Sequence, residues 1–109
     1  MHSEVQITSE VTLVTLHGDL DMATVDALRE VLDGAMATDT PRIEIALADV
    51  SFVDVVSLSA ILAAADATRD AGRQLTVTGP SGSVRRLCSL LNANDVLAGP
   101  VPAPRVSSN

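Results

Sequence analysis

Between Arg42 and Thr78 the chain passes from a strand pattern to a helix pattern and back. Arg42 to Leu47 places Ile43, Ile45 and Leu47 on one face. Gln74 to Thr78 alternates Leu75 and Val77. Two strands joined by a helical crossover run parallel, with the helix packed on the sheet they share. That limits the fold to a layered α/β arrangement.

The remaining segments extend the pattern. Glu4 to Thr8 alternates Val5 and Ile7 with polar neighbours and reads as a short strand. Val11 to Leu16 is β-branched and apolar on both sides, as expected of a central strand. The short Ser9-Glu10 gap predicts a hairpin between them. His17-Gly18-Asp19-Leu20-Asp21 reads as a loop, with Asp21 as N-cap of a helix from Met22 to Ala37. On that helix Val25, Leu28, Val31, Leu32 and Ala35 face the core, and Asp26, Arg29, Glu30 and Asp33 face water. Pro41 ends it. Ser81 caps a third helix with Val84, Leu87, Cys88 and Leu91 on its core stripe. Asn92-Ala93-Asn94 stops that helix, and Val96-Leu97 adds an edge strand or docking segment. The predicted order is β-β-α-β-α-β-α, a single α/β domain over residues 4–98 with a mixed sheet. Residues 99–109, rich in Pro and Ser, are expected to form a flexible tail.

The crossover helix carries the functional signal. Asp54 precedes it as the expected N-cap, at the positive end of the helix dipole. Leu58, Ile61, Leu62 and Ala65 make the core stripe, and Gly72 is the expected residue just past its end. The opposite side should be charged, but it carries Val56, Ala60, Ala63 and Ala67. Such a stripe either meets a partner or reflects Ala chosen for helix propensity.

Composition removes several function classes. The chain of 109 residues has a net charge of −7 and seven Lys+Arg, none of them Lys; Arg85-Arg86 is the only adjacent cation pair. Phosphate backbones need clustered cations, and single strands are bound by aromatic stacking. One Phe with no Trp or Tyr leaves nucleic acid unexpected as a partner. No apolar run approaches the ~20 residues that span a bilayer. The start, Met1-His2-Ser3-Glu4, lacks the basic and apolar regions of a signal peptide. A single Cys suits a reducing compartment, so the cytoplasm is expected.

Several residues admit a catalytic role beside a plainer one. Asp19, Asp21 and Asp54 could gather at strand ends and hold Mg²⁺ or run acid–base chemistry; helix capping accounts for Asp21 and Asp54 more simply. His2 and His17 have no metal-ligand spacing with Cys88. Gly79-Pro80-Ser81-Gly82-Ser83 lacks the Lys of a phosphate-binding loop. Cys88 falls on a core stripe and reads as a buried small hydrophobe. No enzyme activity, metal or cofactor is expected, with a small acid-cluster enzyme as the alternative of another class.

The ordered set of segments resembles the STAS domain family, which includes bacterial anti-sigma factor antagonists and the cytoplasmic tails of sulfate transporters. The resemblance rests on Gly18-Asp19-Leu20-Asp21 before the first helix and Val50-Ser51-Phe52-Val53-Asp54 before the second. It continues through Gly79-Pro80, Val84-Arg85-Arg86-Leu87 and Asn94-Asp95-Val96-Leu97. It implies a domain that docks on an anti-sigma factor with a kinase-type ATP-binding fold and so releases a sigma factor. It also implies a switch, in which a phosphate two residues after the family Asp, here Asp54, blocks docking. That position is Val56, which has no hydroxyl. Val55 stands before it, and Ser57 occupies a position that is usually Gly. The expectation is a docking module without the usual off-switch, with Ser57 and Ser59 as substitute acceptors. Each of these is otherwise a helix-start hydroxyl bonding backbone. The expected partner surface comprises Asp21, Asp54, Val55, Val56, Ser57, Ala60, Ala63 and Ala67. A STAS subunit of a transporter or larger regulatory assembly is the alternative. Self-association into a weak homodimer is a further expectation.

Overall fold

A computed structural model describes residues 1–97. Strands β1 (His2–Ile7), β2 (Val11–Leu20), β3 (Arg42–Val53) and β4 (Gln74–Thr78) form one sheet in the order β1-β2-β3-β4. β1 and β2 make an antiparallel hairpin; β2–β3 and β3–β4 are parallel. Helices α1 (Val25–Met36), α2 (Val55–Asp70) and α3 (Gly82–Leu90) follow β2, β3 and β4, and a 3₁₀ turn spans Asn94–Val96. The mixed α/β order is the one expected. The tail expected over 99–109 lies outside the described residues.

The core is aliphatic. Val14 and Leu16 of β2, Ile43, Ile45 and Leu47 of β3 and Val77 of β4 meet Leu28 and Leu32 of α1 and Leu58 and Ile61 of α2, all buried. Full burial of one such side chain contributes about 1.5–3 kcal/mol. Cys88 joins this core at 0% exposure. Leu91, expected on the α3 core stripe, is 44% exposed, because α3 ends at Leu90 and Asn92 turns the chain with φ 56°. Leu97 makes a parallel bridge to Val77, at the outer edge of β4.

Two strands are longer than their side chains suggest. The segment read as a loop, His17 to Leu20, continues β2; Asp49 to Val53 continues β3. The two extensions pair with each other, through register shifts between Thr15 and His17 and between Gly18 and Asp19. Gly18 takes φ 94° there, a conformation that suits a bulge. Gly18 and the interspersed polar residues interrupt the alternation, although Leu20 and Val53 at the ends of the two extensions are buried in the core.

The first helix also starts later than expected. Thr24, not Asp21, precedes its first turn. Asp21 closes a turn instead: its carboxylate accepts the Ala23 N–H at 3.0 Å, and its own N–H donates to the Thr24 hydroxyl at 3.0 Å. Beyond the helix, Thr12 Oγ1 lies 2.7 Å from the Thr38 hydroxyl and 2.8 Å from that of Thr40. Arg73 donates to the carbonyls of Thr40 and Met36 at 2.7 and 2.8 Å. These bonds tie the end of α1 to the loop that follows α2.

Candidate functional site

The β2–β3 extension sets the start of α2. Leu20 pairs with Val53, and the Asp54 N–H donates to the Leu20 carbonyl at 3.0 Å. Asp54 is then the N-cap: its Oδ1 accepts the Ser57 N–H at 2.8 Å. The helix runs for 16 residues to Asp70. It ends with Gly72 at φ 75°, its N–H bonded to the Arg69 carbonyl and that of Arg73 to Thr68. This paired arrangement is the usual glycine stop.

Leu58, Ile61 and Ala65 face the core as expected, with Ala64 and Thr68, while Leu62 is half-buried. Thr68 spends its hydroxyl on the Ala64 and Ala65 carbonyls. The outer stripe lies at the surface. Val56 is 40% exposed, Ala63 and Ala67 are exposed, and Ala60 is half-buried. Val55 beside them is 51% exposed.

These residues form one wall of an open groove of about 560 Å³ between α1 and α2. Ser59 lies on the same wall. The other wall comes from α1 and supplies Leu32 and Met36, with Arg29 and Asp33. Arg29 also pairs with Asp26 at 3.5 Å. Sequence periodicity marked the α2 wall only. It placed Leu32 in the core and Arg29 and Asp33 in water, because the choice of which helices lie side by side is tertiary.

Ser57 departs from the expected partner surface. It is 0% exposed, and its buried hydroxyl has no hydrogen-bond partner. Its position on the helix turns it inward beside Leu58, so a modifying enzyme has no access to it in the folded chain. Of the two substitute acceptors, Ser59 alone reaches the surface. Asp54 is half-buried beneath the leading end of the groove, and Asp21 is occupied in its turn and does not line the groove.

A second apolar patch adjoins the start of α2. Phe52, the one aromatic of the chain, is 54% exposed, and Leu90 is 76% exposed. Together with Leu87 and Arg86 they line a shallow cleft of about 280 Å³ between the end of β3 and α3. Nothing in the alternation of β3 distinguished Phe52, since the strand was expected to end at Leu47.

Among the described residues no group of three His, Cys, Asp or Glu side chains is placed to hold a metal ion. His17 lies between Asp49 (Nδ1 to Oδ2, 3.3 Å) and Glu4 (Nε2 to Oε1, 3.6 Å), next to His2. Burial pushes the Cys88 thiol above its ordinary pKa, with Arg85 opposing the rise. Ser81 caps α3 by accepting the Val84 N–H at 3.2 Å. No described helix is long and apolar enough to cross a membrane.

A family model described as the Mlab, STAS domain matches residues 3–99. Solved structures share the fold. Unphosphorylated SpoIIAA, an anti-sigma factor antagonist from Bacillus, aligns with a TM-score of 0.75 at 17% identity, over 96% of this chain and 89% of that one. An anti-sigma factor antagonist from Mycobacterium paratuberculosis aligns at 0.73 and 23%, over 88% and 81%. A sulfate transporter family protein from Wolinella succinogenes aligns at 0.65 and 16%, over 80% and 75%. Among curated proteins no sequence matches the chain.

Proposed function

The chain belongs to the STAS domain family, and from that premise we propose that it is an anti-sigma factor antagonist acting by protein–protein docking. Its partner is an anti-sigma factor with a kinase-type ATP-binding fold, in the bacterial cytoplasm, and docking frees the sigma factor that this partner holds. The chain performs no chemistry of its own. The observation that carries this reading is the surface stripe of exposed Val56, Ala63 and Ala67 with half-buried Ala60, which leads away from the Asp54 cap along an open groove. Small side chains let another backbone approach closely, and apolar ones gain by being covered. Val55 and the half-buried Asp54 frame its leading end. The likeness to anti-sigma factor antagonists supports the same reading.

Val56 sets the regulation apart. A phosphate at that place would add about −1.5 to −2 charges to an apolar contact, and a valine accepts none. Docking is then governed by abundance and competition between partners. The test is to mix the protein with the kinase-fold anti-sigma factors of its own organism, with ATP and with the cognate sigma factors. A stable complex, release of sigma, and an unchanged mass of the antagonist are the expected results. A stoichiometric gain of one phosphate would end the constitutive reading, and Ser59 is where it would be sought.

A second reading has its own support. The likeness to a sulfate transporter family protein, together with the missing hydroxyl at position 56, fits a STAS subunit of a transporter or larger regulatory assembly. Affinity capture separates the two: an anti-sigma factor supports the first, a membrane transport component the second.

A further inference from the structure

On the far side of the sheet from β4, β1 is an edge strand that pairs only with β2 among the described residues. It exposes two large apolar side chains, Val5 at 49% and Ile7 at 61%. Their cross-strand partners are Val14 and Thr12, both buried, so they point to the sheet face that the core occupies.

The hairpin shows which backbone groups of β1 point outward. The Thr8 N–H donates to the Val11 carbonyl at 2.9 Å, which makes Thr8 and Val11 a hydrogen-bonded pair. Such pairs alternate with non-bonded ones along an antiparallel ladder. In the observed register the bonded pairs are therefore Gln6–Leu13, Glu4–Thr15 and His2–His17. Ser3, Val5 and Ile7 fall at the alternate positions, with N–H and C=O directed away from the sheet. Natural edges are usually blunted by charged side chains, Lys above all, by Pro or by a bulge. Ser3 to Ile7 carries one charge, Glu4, and no Lys or Pro, and its register with β2 is unbroken.

We propose that β1 is the contact between two copies of this chain, paired antiparallel about a twofold axis through Val5. In that register Val5 faces Val5 of the second copy, and Ser3 faces Ile7. All three residues have outward-pointing backbone groups, so the Val5–Val5 pair and both Ser3–Ile7 pairs exchange their N–H and C=O groups. Glu4 then falls opposite Gln6. An axis through Glu4 would set two carboxylates face to face, which the strand-pairing rules disfavour. The chosen register also brings the two Val5 side chains together on the core side and away from water. This contact is independent of the α1–α2 groove and leaves that groove open in each copy.

Sedimentation equilibrium over a wide concentration range tests the contact. The wild-type mass should rise about twofold with concentration. Val5→Lys sets two ammonium groups against each other, and Val5→Pro removes a donor that β2 does not use. Both variants should keep the native circular dichroism and remain monomeric. Amide hydrogen exchange supplies an independent readout on the unmodified protein: the Ser3, Val5 and Ile7 amides should slow as concentration rises, while those of Glu4 and Gln6 are slow throughout. A wild-type chain that stays monomeric overturns the proposal. So does a dimer that survives both substitutions, or one whose Ser3, Val5 and Ile7 amides exchange at a concentration-independent rate. If Val5→Pro unfolds the chain, the exchange measurement decides by itself.

Discussion

Asp54 Oδ1 accepts the backbone N–H of Ser57 at 2.8 Å. The carboxylate therefore holds the first turn of α2, directly beneath Val55 and Val56. Asp54→Ala should lower stability by about 1 kcal/mol, the usual cost of a lost cap, and Asp54→Asn should be close to neutral. Urea unfolding of the two variants checks this. Equal losses for Ala and Asn would mean that charge, not capping, is what the position supplies.

The two sides of α2 should respond differently to substitution. Leu58 is 0% exposed, and Leu58→Ala should cost about 2–5 kcal/mol. Ala63 is exposed on the groove wall. Ala63→Arg should leave unfolding nearly unchanged and weaken partner binding, as read by calorimetric titration. Loss of fold in Ala63→Arg would show that this side is buried, and the docking reading would lose its basis.

Val56→Asp should place a negative charge at the leading end of the groove and reduce affinity by about tenfold or more, since a buried unpaired charge costs upward of 1.4 kcal/mol. Binding at wild-type strength would count against Val56 lying within the contact.

Arg73 donates to Thr40 and Met36 carbonyls and, at 3.2 Å, to the Thr38 hydroxyl. Arg73→Ala leaves these acceptors without that donor and should cost about 1–3 kcal/mol. Arg73→Lys should recover little, because an ammonium lacks the planar fork that reaches separate acceptors. Thermal melts of the pair measure the difference.

Cys88 is buried, and desolvation raises its thiol pKa. The native chain should resist thiol reagents that react readily once it is unfolded. The sign of the pH effect follows from linkage. Below the ordinary thiol pKa both states keep the proton and the contribution is fully present. As pH rises toward the raised native value, the unfolded chain loses its proton first and stability falls. The slope of stability against pH in that alkaline window should be smaller in Cys88→Ala than in the wild type.

The crossover was legible in the sequence because Ile43, Ile45 and Leu47, then Leu58, Ile61 and Ala65, then Leu75 and Val77 repeat at strand, helix and strand periods. The ladder from His17 to Leu20 against Asp49 to Val53 was not, because Gly18, the polar residues between the apolar ones and the register shifts break the alternation that leads to the buried Leu20 and Val53. Asp21 carried a good capping residue type, but the chain needed a turn before α1 could begin, and Asp21 and Thr24 close that turn together. On the groove wall, Val56, Ala60, Ala63 and Ala67 were visible as a helical stripe. The opposing Leu32 and Met36 were not, since nothing local to α1 says that α2 lies beside it. Ser57 failed for a related reason: its type suggested a surface hydroxyl, whereas its place on the helix turned it inward.

The bridge from Leu97 to Val77 bears on how far this sheet can grow. It sets the backbone at Leu97 against Val77 of β4, so the two margins of the sheet are not equivalent, and pairing β1 of one copy on β4 of another would have to displace that bridge. The proposed pairing of β1 with β1 leaves the bridge in place, and it closes on itself after a single step. A chain with an unguarded strand would otherwise be a seed for fibres; here the geometry favours a finite pair.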